Sequence, residues 1–138
     1  MRRLVLDCSI ALAWSVASQA TPLSHKAQIE VQAHGAVVPF IFPIAVANAL
    51  WKLERRKLLS AAQLDVALQG FELIDLEIDV ATLDIAAAAT LPLARHYTLS
   101  LYDAAYLELA LRQKIPLATR DKQLAAATTA AGGILFAP

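Results

Sequence analysis

The sequence predicts an α/β fold in which a short parallel sheet is flanked by helices on both faces. Short apolar runs alternate with longer helical stretches along the 138 residues. Those runs are apolar on both sides, as strands of a sheet covered on both faces must be. Pro22, Gly35 and Pro43 punctuate the alternation where helices should begin or end.

Taken in order, Leu4-Val5-Leu6 reads as a buried strand ending at Asp7. Ser9 to Ser18 reads as a short helix. Pro22 to His34 is a second, with Thr21 as its cap, Pro22 in its first turn and Gly35 closing it. Val37-Val38 is the next strand, and Pro43 opens a helix through Arg56. Ser60 caps a helix to Gly70, and Leu73-Ile74-Asp75-Leu76 is read as the third strand. Asp79 is read as the cap of a helix through Thr90, with Leu91 to Tyr97 continuing it. Ser100 starts a strong helix to Gln113. Leu117-Ala118-Thr119 is the fourth strand, Asp121 to Thr129 a helix, and Ile134-Leu135-Phe136 a last strand. The length suits a single domain over residues 1–138, long enough to bury a core.

The hydrophobic content is 58%, much of it alanine. Either helices pack closely or part of the surface is apolar and waits for a partner. No apolar run approaches the roughly 18 residues of a membrane span. The apolar run after Met1-Arg2-Arg3 is too short for a secretory signal. One cysteine, Cys8, excludes an internal disulfide and a cysteine metal cluster. The cytoplasm is the expected compartment. The formal net charge is zero, so the total shows no basic nucleic-acid footprint. Any bound polyanion must be met by local cations.

In parallel α/β sheets ligands sit beyond the carboxyl ends of the strands. Asp7 directly follows the first strand, Asp121 lies two residues after Thr119, and Asp103 lies in the first turn of the Ser100 helix. Each has an ordinary reading. Asp7 and Asp121 suit helix caps, and Ser100-Leu101-Tyr102-Asp103 has capping-box spacing. Together they carry more, because a parallel sheet brings all three to one edge. Carboxylates crowded there and left charged at neutral pH need a cation. Hard oxygen ligands with open positions suit Mg²⁺ or Mn²⁺, which activate water and offset charge on a phosphate.

Three segments add a resemblance. Val5-Leu6-Asp7-Cys8-Ser9 resembles the opening strand motif of PIN domains. Leu99 to Leu107, containing Ser100-Leu101-Tyr102-Asp103, is similar to the family's central acidic helix. Leu117-Ala118-Thr119-Arg120-Asp121-Lys122 resembles its late Thr-x-Asp segment. The likeness is strongest to the VapC-type toxins of toxin–antitoxin pairs. It implies a PIN-like three-layer domain and a divalent-metal-dependent endoribonuclease that cleaves single-stranded RNA. Asp7, Asp103 and Asp121 would be its metal-binding catalytic acids, with Ser9 and Thr119 supporting them. It also implies a homodimer and a cognate VapB-type antitoxin held across the early helices, where Trp14, Phe40, Leu50, Trp51 and Leu53 lie. Arg120 and Lys122 flank Asp121 and are the candidate RNA contacts.

One position departs from the resemblance. Pro43-Ile44-Ala45-Val46-Ala47-Asn48-Ala49-Leu50 resembles the family's second motif, but Ala45 stands where a glutamate belongs, while Asn48 is present. Ala45, Asn48 and Lys52 share a helical face at i, i+3 and i+7. Alanine removes one charge and up to two ligand oxygens, so metal affinity and activity should be attenuated or lost. Natural divergence and deliberate silencing would both leave this pattern. A non-catalytic PIN-fold module that pairs with an antitoxin or RNA is the second reading. A phosphoacceptor receiver is a poorer one, because it wants paired acids after the first strand and Cys8 follows Asp7. The absence of a Gly-rich phosphate loop argues against a nucleotide hydrolase.

Overall fold

The fold follows from four short strands that pair in parallel. A computed structural model describes residues 3–80 and 83–137. The strands are β1 (Leu4–Leu6), β2 (Ala36–Pro39), β3 (Leu76–Asp79) and β4 (Leu117–Ala118), in the order β3-β2-β1-β4. Leu4 pairs with Ala36, Val5 with both Val37 and Leu117, and Ala36 with Leu76. Every residue of β1, β2 and β4 is buried, as strands covered on both faces require. Helices flank the sheet: α1 (Cys8–Ser15), α2 (Pro22–His34), α3 (Phe42–Arg55), α4 (Ala61–Glu72), α5 (Leu83–Ile85), α6 (Leu91–Tyr97), α7 (Leu101–Gln113) and α8 (Lys122–Ala130). No described helix is long and apolar enough to cross a membrane.

Local sequence explains most of the boundaries. Thr21 and Ser24 make a reciprocal capping box at the start of α2, with Pro22 in the first turn. Ser60 and Gln63 do the same for α4. Gly35 ends α2 at φ 80°, its N–H bonded to Val31 O at 2.8 Å, and this turn delivers the chain into β2. In the core, Phe42, Val46 and Leu50 of α3 and Leu107 and Leu109 of α7 pack with Leu4, Leu6, Val37 and Leu117.

Several expectations are corrected. The first helix ends at Ser15 and gives way to a 3₁₀ turn over Ala17–Gln19, so it does not run to Ser18. The third strand is Leu76–Asp79, not 73–76. Leu73 and Ile74 follow α4 instead, with Leu73 fully on the surface. β3 is an edge strand in which no residue is fully buried, so it need not be a doubly apolar run. Asp79 is the last residue of that strand and not a helix cap. The Arg112 guanidinium donates to its two carboxylate oxygens at 2.6 and 3.2 Å, and also to Glu108, which ties the edge strand to α7. The helical stretch after it is described from Leu83 and passes through a π turn over Ala86–Thr90 before α6; residues 81–82 lie outside the described residues. The expected last strand over 134–136 contracts to one parallel bridge, Leu117 to Leu135. The fourth strand likewise stops at Ala118, leaving Thr119 to turn its side chain into the site.

Candidate active site

All four strands run the same way, so their carboxyl ends share one edge, and β1 delivers Asp7 to it. Asp7 takes the backbone position of a cap for α1, but its side chain makes no capping bond. Instead Asp7 Oδ2 accepts from Ser9 Oγ and from Thr119 Oγ1, both at 2.7 Å. Each hydroxyl passes the chain of bonds on. Ser9 Oγ accepts from the Arg120 N–H at 2.9 Å, and Thr119 Oγ1 accepts from the Asp121 N–H at 3.0 Å. Two hydroxyls thus tie the end of β1 to the turn after β4, across 112 residues of sequence.

Asp121 does cap α8. Its Oδ1 accepts from the N–H groups of Gln123 and Leu124 at 2.8 and 3.1 Å, which leaves Oδ2 for other work. Asp103 sits one turn into α7, with its N–H donating to Ser100 Oγ at 3.1 Å. The start of α7 is held near the start of α8 by Gln123 Nε2, which donates to Thr98 O at 2.7 Å. Among the described residues, none of the three aspartates pairs with a lysine or arginine.

Asp7 and Asp103 feel both burial and the charges of neighbouring acids. Burial, and to a lesser degree the charge of Asp121, hold the Asp7 carboxyl above the ordinary range, against the lowering effect of the Thr119 and Ser9 hydroxyls. Burial and then the charges of Asp7 and Asp121 raise Asp103 in the same way. The folded chain therefore keeps protons that the unfolded chain has already released. For the metal-free protein this costs stability, and the cost grows as pH rises from the usual carboxylate value through the raised ones. Asp7→Asn keeps an oxygen acceptor for Ser9 and Thr119 and removes the charge. It is expected to raise the melting temperature of the metal-free protein by about 2–4 °C at pH 7, with the gain fading toward pH 3. Scanning calorimetry in chelator checks this, and a lowered melting temperature at pH 7 would contradict it.

Cys8 lies beside Asp7 yet offers no nucleophile. Burial and the neighbouring carboxylate push its thiol up to about 12. At pH 8 the thiolate fraction falls by about a thousandfold against an unperturbed thiol. Labelling of the folded chain by a thiol reagent should be slower than that of the unfolded chain by two orders of magnitude or more; equal rates would refute this.

The donor set suits a hard divalent cation in kind: carboxylate oxygens that pair with no lysine or arginine among the described residues. It does not form a closed cage. Among the described residues no three His, Cys, Asp or Glu side chains converge tightly enough to hold an ion. Ala45 is half-buried in the first turn of α3, which begins just after β2 leaves the same edge, and it contributes no donor. Asn48, one turn on in α3, is exposed. Arg120 and Lys122 are exposed at the rim, Arg120 reaching Gln19 Oε1 at 3.5 Å. They border a shallow hollow of about 430 Å³ with Leu23, Ala125 and Phe136 on its apolar side and Thr119 and Asp121 toward the acids. A larger groove of about 750 Å³ lies elsewhere, between α1, α2 and α4, and holds none of the three aspartates.

Sequence reasoning passed over Tyr106. It is buried one turn beyond Asp103, and its hydroxyl is the single buried side-chain oxygen or nitrogen without a partner among the described residues. The available signal was its i+3 spacing from Asp103, which the apolar pattern of α7 masks.

The parallel α/β domain with carboxylates at its carboxyl edge is consistent with a nuclease-like fold. The chain belongs to the PIN domain family, whose model matches residues 4–129. PIN domains are generally metal-dependent nucleases. Among solved structures the chain is similar to the crystal structure of PAE2754 from Pyrobaculum aerophilum, with a TM-score of 0.68 and 24% identity over 96% of this chain and 83% of that one. That likeness bears on the fold alone. No curated protein sequence matches the chain.

Proposed function

We propose that residues 1–138 form a single PIN domain acting as a VapC-type endoribonuclease toxin, dependent on Mg²⁺ or Mn²⁺ and attenuated here by Ala45. One observation supports this reading: at the edge where a parallel sheet binds ligands, three carboxylates without a lysine or arginine partner lie near enough that burial and their neighbours' charges raise the proton affinity of Asp7 and Asp103. Asp7, Asp103 and Asp121 would hold the ion, Asp7 and Asp121 each through the carboxylate oxygen that the hydrogen bonds leave free. When bound, a divalent ion there supplies an acidified water and offsets charge on the scissile phosphate.

The chain's own residues do the rest. Ser9 and Thr119 fix the Asp7 carboxylate from one side, so its other oxygen points away from them. Arg120 and Lys122, exposed at the rim, meet the phosphates of single-stranded RNA as local cations on a neutral chain. Asn48 lies on the same helical face as Ala45 and supports the position a glutamate there would occupy.

The partners follow from the surface. Phe40, Ile44 and Trp51 are each about half or more exposed on or beside α3, and Arg55 lies over the Trp51 ring at 5.8 Å. Such a patch suits a homodimer. The groove between α1, α2 and α4, lined by Trp14, Val31, Val66 and Phe71, suits a VapB-type antitoxin segment. The cytoplasm is the proposed compartment. The open donor set and Ala45 also favour a second reading, a non-catalytic module that holds antitoxin or RNA.

The deciding experiment is an RNA cleavage assay of this chain and its Ala45→Glu variant, with Mg²⁺ and with chelator. Mg²⁺-dependent cleavage by the variant supports the enzyme. RNA or antitoxin binding without cleavage in either protein would hand the case to the binding module.

A further inference from the structure

The shallow hollow beside the acids has an apolar wall that the reading above leaves unused. Its volume is about 430 Å³, and Leu23 of α2, Ala125 of α8, Leu135 and Phe136 form that wall. The segment carrying Phe136 is pinned to β4 around Leu117. The Leu117 N–H donates to Ile134 O and the Phe136 N–H donates to Leu117 O, each at 2.9 Å. The bridge between Leu117 and Leu135 is parallel, so Phe136 lies one residue farther toward the carboxyl edge. Its ring is half-buried there.

The hollow is continuous with the acidic edge. Thr119 lines it, and Thr119 Oγ1 bonds Asp7 Oδ2 at 2.7 Å. Arg120, Asp121 and Lys122 line it too, so among the described residues two exposed cations outnumber one acid. Its other polar atoms are already bonded. Thr119 Oγ1 also accepts from the Asp121 N–H, Thr21 Oγ1 accepts from the Ser24 N–H, and Asp121 Oδ1 caps α8. A ligand that fits must bring an apolar face for the wall and negative charge for the two cations. A nucleotide within a single strand does so, because every base has a π-face and every linkage a phosphate.

We propose that this hollow is a nucleobase subsite: one base of a single-stranded RNA lies against Phe136, Leu23 and Ala125, while the phosphates beside it meet Arg120 and Lys122. The proposal rests on the reading of this edge as a nuclease site and gives the base its place next to the acids. With the lining's polar atoms engaged, the base is held by stacking and apolar contact, and its hydrogen-bonding edge is read little.

The test measures binding of a fluorescein-labelled oligouridine, and of an abasic strand of equal length, to the full chain in chelator over a range of salt. Phe136→Leu removes the stacking face, and Ala125→Leu fills the hollow from a helix that tolerates leucine. Each is expected to weaken oligouridine binding roughly fivefold or more, to leave the salt slope unchanged, and to leave the abasic strand unaffected. Arg120→Ala or Lys122→Ala should instead weaken both strands and lower the slope by about one. Oligouridine binding unchanged in both hollow variants, or abasic binding weakened as much as oligouridine binding, overturns the subsite alone. If the parent chain binds neither strand, the reading of the edge falls and the subsite falls with it.

Discussion

Ala45→Glu is expected to raise Mg²⁺-dependent RNA cleavage by roughly a hundredfold or more over this chain, the scale on which one electrostatic participant at an active site is felt. The expectation comes from where Ala45 lies. It sits in the first turn of α3, which starts directly after β2, and β2 is the parallel neighbour of β1 and therefore of Asp7. The side chain is a methyl group in a half-buried place, so a longer one can extend along the edge rather than into packed core. A fourth carboxylate would supply ligand oxygens to a donor set that does not close without it. It would also crowd like charges, so the same variant should be less stable than its parent in chelator and recover when Mg²⁺ or Mn²⁺ is added. Asp103→Asn in that background should abolish the gain. Cleavage that persists in chelator, or in the double variant, would place the chemistry elsewhere.

Gly35→Ala should lower the stability of the chain by about 3 kcal/mol, a fall in melting temperature of roughly 10 °C. Gly35 holds φ 80° and ψ 178°, a combination that residues with a side chain rarely adopt. An added Cβ would stand 2.9 Å from Asp75 O and 3.0 Å from Asp75 Oδ2. Neither strain nor clash can relax cheaply, because Asp75 O is itself held by the Ala36 N–H at 2.9 Å, where β2 and β3 begin. Gly70 supplies the contrast. It lies within α4 with nothing inside 4 Å of a built Cβ, so Gly70→Ala should stabilise the chain by about 0.5–1 kcal/mol. Thermal unfolding of the two variants side by side checks both signs. Equal effects would mean that the turn after α2 is not under the constraint described.

What could be read from the chain depended on how strongly each segment was constrained. Leu4-Val5-Leu6 and Val37-Val38 were legible because a strand covered on both faces has no polar option. Thr21-Pro22 was legible because the cap chemistry is local. β3 was not, since an edge strand with Glu77 and Asp79 in it looks like a turn until Arg3 and Arg112 are seen to bind those two acids. The π turn over Ala86–Thr90 has no sequence signal, being a run of alanines that any helix geometry accepts. At the edge itself, the places of Asp7, Asp103 and Asp121 could be inferred from strand ends and helix starts. The supporting role of Ser9 and Thr119 came from the family resemblance and not from spacing, because their bonds depend on which strands become neighbours. Tyr106 was invisible for another reason: a tyrosine on an apolar stripe of α7 looks like packing until its hydroxyl is counted.

The Thr119 bridge also bears on the order in which the molecule matures. β1 can pair with β2 early in synthesis, but its other side stays open until residues 117–118 have been made, and Asp7 gains its Thr119 partner only then. A nascent or truncated chain that stops short of this point would hold Asp7 through Ser9 without Thr119 and would leave one side of β1 unpaired. Residues 117–119 therefore complete both the sheet beside β1 and the hydrogen bonds at Asp7.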